Sequence, residues 1–217
     1  MRRPQAVVLL ALAAMVLSAV AGCGGKGGTS TQPPTVADGW TKFTAGDYAG
    51  AIATFNAVLT DDSSLNDAHN GLGWSYAFDG NLSTAKGEFE TAIKNDPALT
   101  DAHAGLSSVL LAMGEHAGAI VQATAVLDAD NHWTFSHFSG VDHADVRLIR
   151  AQANFAMGSA SFASAQFDLD VLFPANGLDP NEASTWNEQP TYAAALLKAL
   201  QLAEESVGAQ MMLHKQA

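Results

Sequence analysis

A spacing of 34 residues recurs along the first half of the chain and constrains its fold more than any other feature. Small and aromatic residues fall in register at this period in three successive copies. The columns are Gly39, Gly73 and Ser107; Gly46, Gly80 and Gly114; Ala51, Ala85 and Ala119; and Phe55, Phe89 and Ala123. Such a period indicates a repeat array in which each unit buries its apolar face against its neighbours.

The second copy resembles the tetratricopeptide repeat (TPR) most completely. It carries the family's pattern at Leu72, Gly73, Tyr76, Gly80, Ala85, Phe89, Ala92 and Pro97. The resemblance covers residues 32–133 and implies an all-α fold, a TPR α-solenoid of about four helix-turn-helix units. Each unit then consists of a helix A and a helix B. The glycine between them, such as Gly80, allows the left-handed backbone of a helix end.

A fourth unit is predicted after an insertion. Gly158, Ala163 and Phe167 repeat the order of glycine, alanine and phenylalanine, and Ala151 takes the small position of helix A. Ala163 lies 44 residues after its counterpart in the third copy, so ten extra residues interrupt the array. They correspond to residues 134–143, part of an aromatic-rich stretch without repeat signal. The predicted array spans residues 36–177.

Residues 178–217 predict a loop followed by a capping helix. Turn signals precede Pro190, which cannot continue a preceding helix and suits the start of a new one. Apolar residues then recur on one face at Ala193, Leu196, Leu197, Leu200 and Val207. An amphipathic helix of this kind closes the open end of a solenoid.

The beginning of the chain resembles a bacterial lipoprotein precursor. Two arginines precede an apolar run over residues 6–20, which is the layout of a secretory signal peptide. Val20-Ala21-Gly22-Cys23 resembles the lipobox of that family. The resemblance implies removal of residues 1–22 and lipidation of Cys23, the sole cysteine. Residues 23–35, rich in glycine and polar residues, are predicted to form a flexible tether.

The same resemblance implies residence in the cell envelope with the acyl chains in a membrane. Gly24 follows the lipidated cysteine, whereas aspartate there signals inner-membrane retention in many Gram-negative systems. The periplasmic face of the outer membrane is therefore favoured if the host has two membranes. The layout as a whole is similar to that of a group of bacterial TPR lipoproteins, which implies an architecture rather than a mechanism.

Acidic residues outnumber basic ones by 22 to 10, which gives a formal net charge of −12. Because nucleic-acid binding depends on Lys and Arg at phosphates, this composition excludes it. A neutral or basic protein or peptide partner is expected instead. The chain has no serine elbow, phosphate-binding glycine loop or His-Glu-x-x-His motif. The sequence therefore predicts neither an enzyme nor a cofactor.

The TPR resemblance implies a ligand groove on the concave face, which helix A of each unit lines. The predicted groove residues are Trp40, Phe43, Asn70, Trp74, Phe78, Ser108 and Leu111. Trp40 and Trp74 hold the same column in adjacent units, and two interpretations stay open: exposed anchors for a partner, or burial between helices. Gly71, Ala104 and Gly105 stand where relatives that clamp a carboxylate use Lys, Asn and Arg. A hydrophobic or basic peptide is therefore the expected ligand.

Three histidines lie in or near the insertion. His132, His137 and His143 are residues of a type that binds zinc or copper, with Asp142 or Asp145 as further ligands. Their spacings of five and six residues match no helix face. A packed or solvated loop is the favoured interpretation.

Three functions are consistent with the sequence. The first is a membrane-anchored scaffold or adaptor that binds another protein in the envelope. The second is an assembly accessory for outer-membrane barrel or pilus secretin biogenesis, although the TPR lipoproteins that serve there have more repeats. The third is a metal or small-ligand module that uses the histidine and aromatic loop. Metal analysis separates the third function from the others, and capture from membranes separates the first two.

Overall fold

The computed structural model describes residues 33–214, with side chains as far as residue 207. Within that part the chain forms nine α-helices: α1 (Val36–Thr44), α2 (Tyr48–Asp61), α3 (Asn66–Phe78), α4 (Leu82–Asn95), α5 (Thr100–Ala112), α6 (His116–Ala129), α7 (His143–Ala156), α8 (Phe162–Leu172) and α9 (Tyr192–His214). The predicted signal peptide, Cys23 and most of the tether lie outside the described residues. No described helix is both long and apolar enough to cross a membrane.

The helices pack in consecutive pairs, as the repeat pattern predicts. In each of the first three pairs a glycine with positive φ joins helix A to helix B: Gly46 at 78°, Gly80 at 87° and Gly114 at 77°. Helices α2 and α4 then begin with a side-chain N-cap. The Asp47 side chain accepts a hydrogen bond from the Gly50 amide, and the Asn81 side chain accepts one from the Thr84 amide. The glycine ends one helix and the cap begins the next, which turns the chain back on itself.

Adjacent pairs are joined by a phenylalanine ring held between two glycines. Phe55 of α2 is fully buried, and a Cβ placed on Gly39 or Gly71 would lie 2.4 or 2.2 Å from its ring. Phe89 of α4 repeats this arrangement with glycines of α3 and α5. Gly71 and Gly105 therefore contact the core rings, although the sequence placed them in the groove.

A polar contact between helix A and helix B also repeats from pair to pair. His69 Nδ1 lies 2.7 Å from Glu88 Oε2, and His103 Nδ1 lies 2.6 Å from Gln122 Oε1. In each case Nε2 of the same ring reaches a backbone carbonyl oxygen in the preceding connection. The two histidines are packing residues, as their matching positions in the repeat indicate.

The fourth pair differs from the sequence prediction. Phe167 is 61% exposed and Ala163 is exposed as well, whereas Ala165 and Leu169 of α8 are buried. The cause is a 3₁₀ turn, Ser159–Ser161, which delays the start of α8. It moves the core positions of helix B two residues along the chain, so the alignment of Ala163 and Phe167 with the core was wrong.

An ion pair joins the two helices of the fourth pair, and one hydrogen bond links it to the third pair. Arg150 of α7 donates to both oxygens of Asp168, from Nε and Nη2, each at 2.8 Å. Arg150 Nη1 also lies 3.3 Å from the Thr124 hydroxyl oxygen on α6. Asp168 is only 1% exposed. Arg150 occupies the place where the second and third units have Leu72 and Leu106.

The C-terminal helix covers the last pair. α9 packs on α7 and α8, and its buried residues belong to a second apolar core: Leu196, Leu200, Ala203 and Val207. The predicted capping helix is thus confirmed, with its start at Tyr192 rather than Pro190.

Candidate functional site, the concave groove

The inner faces of α1, α3 and α5 lie side by side and form what we call the groove. Its floor brings together four of the predicted residues in one aromatic cluster. Ring centroids are 5.4 Å apart for Trp40 and Phe43, 5.3 Å for Phe43 and Phe78, and 6.2 Å for Trp74 and Phe78. Asn70 lies one turn before Trp74 on the same face of α3. The helical repeat therefore places these side chains in a continuous row.

The chain's own insertion covers this floor. We call residues 132–141 the insertion loop. Phe135 stacks on Trp74 with ring centroids 4.4 Å apart, and His137 stacks on Trp40 at 3.7 Å with nearly parallel rings. Trp40 and Trp74 are each only 5% exposed as a result, and Phe43 is 3% exposed. Of the two interpretations left open by the sequence, burial holds, but the loop provides the cover in addition to the neighbouring helices.

Two carboxylates hold the loop in the groove. Asp101, in the first turn of α5, accepts hydrogen bonds from Trp133 Nε1 at 2.9 Å and from the Ser136 hydroxyl at 2.6 Å. Asp67, at the same place on α3, accepts from Trp40 Nε1 at 3.1 Å and lies 3.7 Å from His137 Nε2. Hydrogen bonds to a charged acceptor are stronger than neutral ones, so these contacts fix the register of the loop.

The loop enters the groove with a short extended stretch over residues 133–135 and then turns at residues 136–137. Trp133 and Phe135 are buried, while Thr134 between them is exposed, which is the alternation of a strand. Phe135 donates its amide to the Val141 carbonyl at 2.9 Å. The loop is thus closed on itself and presents alternate side chains to the floor.

Part of the groove floor stays unsatisfied beneath this cover. Asn70 is fully buried, and neither its Oδ1 nor its Nδ2 has a hydrogen-bond partner among the described residues. The same holds for Trp74 Nε1, one turn further along α3. Each buried polar group without a partner costs roughly 1–3 kcal/mol. The loop supplies rings to this region but no polar group.

The remaining predicted groove residues lie toward the edges of the floor. Leu111 is buried and Ser108 is half-buried, both on α5. Phe78 is half-buried beside Phe138 of the loop, with ring centroids 6.4 Å apart. A pocket of about 170 Å³ opens here, lined by Phe43, Thr44, Ala45, Gly46, Tyr48, Phe78 and Phe138.

Solved structures with the same arrangement of helices include MamA and YrrB. MamA is 18% identical with a TM-score of 0.55, covering 79% of this chain and 96% of its own; a second structure, MamA MSR-1 C2, has the same identity and score and covers 78% and 94%. YrrB, described as a TPR protein with an unusual peptide-binding site, is 16% identical with a TM-score of 0.54, covering 84% and 90%. The fold is a TPR α-solenoid. Neither a family model nor a curated protein matches the chain.

The histidines of this TPR array do not converge. His137 stacks on Trp40, while the rings of His132 and His143 lie 5.7 Å apart at the base of the loop. Between residues 33 and 207, no three His, Cys, Asp or Glu side chains are placed to hold a metal ion. The stacking of His137 on Trp40 agrees with the packed-loop interpretation for that residue.

One carboxyl beside the loop has an unusual acidity. Asp145 accepts a hydrogen bond from the Asp142 amide and completes the capping box that begins α7. Burial, together with a smaller effect of the Asp142 charge, raises the pKa of Asp145 to about 7. The Asp145 carboxyl therefore changes its protonation near neutral pH. It lies in the first turn of α7, the helix that follows the insertion loop.

Proposed function

We propose that this chain is a scaffold that binds a protein partner in the groove and holds it at a membrane of the cell envelope. The observation that carries this proposal is the chain segment already lying in the groove, extended over residues 133–135 and bound through stacked rings and two carboxylates. A surface that accommodates one extended segment in this way is suited to another. The description of YrrB, a TPR protein with a peptide-binding site, supports a peptide as the kind of partner.

The membrane attachment is proposed from the sequence. The lipobox over residues 20–23 and the predicted tether favour a diacylated Cys23 on the periplasmic face of the outer membrane. The tether is short, with a root-mean-square reach on the order of 20 Å. A partner bound in the groove is thereby kept close to the bilayer. The excess of acidic residues favours a neutral or basic partner.

Cys23→Ser tests the attachment. We expect the variant to leave the membrane fraction or to accumulate as an unprocessed precursor, since the acyl acceptor is gone. Metabolic labelling with a tagged fatty acid should mark the native chain and not the variant. A native chain that carries no acyl group would refute the attachment.

Affinity capture tests the binding role. The native lipid-anchored chain, crosslinked in intact cells and purified in detergent, should retain a specific protein that Trp74→Ala fails to retain. Val121→Ala, at a side chain 62% exposed on α6, is the matched control and should capture as the native chain does. If the native chain captures nothing above the background of an unrelated lipoprotein, the scaffold proposal is wrong.

A further inference from the structure

We propose that the insertion loop is a removable occupant of the groove, and that the natural ligand is an extended partner segment with rings at alternate positions. This inference rests on the proposed function, because it takes the groove as the place where the partner binds. It adds the chemistry of the ligand and the step that admits it.

The loop is attached to the groove through side chains alone. Its rings and hydroxyl reach the floor through Trp133, Phe135, Ser136, His137 and Phe138. Its backbone hydrogen bonds run within residues 130–143, and none in the described part of the chain joins it to α1, α3 or α5. The loop is therefore able to leave the groove as one closed unit while the helices beneath it keep their own hydrogen bonds.

The floor offers polar groups that the loop leaves unused. The buried Asn70 amide carries both donors and an acceptor, and Trp74 Nε1 is a further donor. A peptide unit crossing α3 presents a carbonyl and an amide, which match a side-chain amide such as that of Asn70. An extended partner would thus satisfy groups that stay unpaired while the loop is in place.

The positions of the loop define the chemistry of the partner. Rings at two alternate positions would replace Phe135 and His137 on Trp74 and Trp40. Hydrogen-bond donors or a positive charge would face Asp67 and Asp101, which agrees with the acidic composition. The open pocket beside Phe78, about 170 Å³, has room for one further apolar side chain.

Self-occupancy lowers the apparent affinity for a partner to the intrinsic affinity multiplied by the fraction of molecules with an open groove. The test uses a fluorescent peptide with the sequence of residues 132–138 as the probe, and the full chain in detergent. Phe135→Ser with His137→Ser in one chain removes both stacked rings and opens the groove. Thr134→Ala, an exposed change in the same loop, is the matched control.

We expect the opened variant to bind the peptide at least tenfold more tightly than the native chain or the control. A second peptide, with alanine in place of the residues matching Trp133, Phe135 and His137, should not bind. If the opened variant keeps its helicity and binds the peptide no better than the native chain, the inference is overturned.

Hydrogen exchange on the native chain provides a measurement that needs no variant. The Trp133 indole N–H, which donates to Asp101 across the loop and the groove, should exchange at least tenfold faster than the core amides of α5 when the loop detaches by itself. Exchange at the rate of those core amides would mean that the loop leaves only on global unfolding, and would overturn the inference.

The inference and the proposed function fail in different ways. Peptide binding by the opened variant, without capture of any protein from cells, would support the groove chemistry and refute the scaffold role. Capture of a protein that neither Trp74→Ala nor the peptide affects would support a scaffold that uses another surface. In that case the groove is not the binding site and the inference is overturned.

Discussion

Replacing Gly71 by alanine tests how adjacent units of the array are joined. The new Cβ would lie 2.2 Å from Cζ of Phe55, far inside van der Waals contact. The ring is fully buried, and Gly39 confines it on the other side, so it cannot retreat. Overpacking of this kind costs roughly 1–3 kcal/mol. Alanine regains about 1 kcal/mol of helix propensity. We expect the upper part of the overpacking range and a net loss of about 2 kcal/mol.

Gly87→Ala is the matched control. Gly87 lies in the middle of α4, it is exposed, and a Cβ there meets nothing within 4 Å. This variant should gain about 0.5–1 kcal/mol from helix propensity alone. For a domain of this size each kcal/mol moves the melting temperature by roughly 2–4 °C. Thermal melts followed by circular dichroism at 222 nm should therefore separate the two variants by roughly 5–12 °C.

A second substitution identifies the cause of the loss. Phe55→Leu shortens the ring side chain and should cost less in the Gly71→Ala background than in the native chain. A coupling of at least about 0.5 kcal/mol between the two sites is expected for groups in direct contact. Equal melting temperatures for the two alanine variants, or additive effects at Gly71 and Phe55, would refute this packing of the units.

Two further predictions concern charged groups. The folded-state pKa of Asp145, about 7, exceeds its ordinary 3.8, so its contribution to stability is present in full below pH 3.8 and is lost as the pH rises through 7. In urea unfolding, the free energy of unfolding should fall by an amount on the order of 2–4 kcal/mol across this pH window, and Asp145→Asn should abolish that fall. Parallel curves of stability against pH for the native chain and the variant would contradict the prediction. Arg150→Leu should cost about 3–5 kcal/mol because Asp168 stays buried without its main partner. Asp168→Leu in the Arg150→Leu background should recover most of that loss. If guanidinium unfolding shows that the losses of the two single variants add in the double variant, the ion pair does not contribute as proposed.

Much of the fold follows from the sequence because each repeat column has one physical task. A glycine with positive φ and a small residue recur at the same places in the first three units, and a buried ring recurs in the first two. The fourth unit shows where this reasoning fails. Ala160, Ala163 and Ala165 all suit a small position in helix B, and the pattern alone does not reveal that a 3₁₀ turn intervenes after Gly158.

The sequence predicts the residues of the groove floor but not the insertion loop that covers them. The register of helix A places Trp40 and Trp74 on one face, and the structure brings them together. The loop contacts join residues far apart in the chain, such as Trp40 with His137, and no periodicity reports them. The available signal was the concentration of rings within residues 132–138, which is unusual for a solvated loop. Unpaired polar atoms such as Asn70 Oδ1 depend on tertiary packing and leave no trace in the sequence.

The ring held between two glycines also limits how the array can change in evolution. At the first two unit boundaries a phenylalanine of helix B faces a glycine of the next helix A. At the third boundary Ala123 replaces the phenylalanine, and Ile149, 44 residues after Gly105, replaces the glycine. Recombination that removed the third unit would set Phe89 against Ile149, where no space is left for both. Loss of the third unit is therefore obstructed, whereas loss of the second unit would set Phe55 against Gly105, a pairing of the kind already present at the first two boundaries.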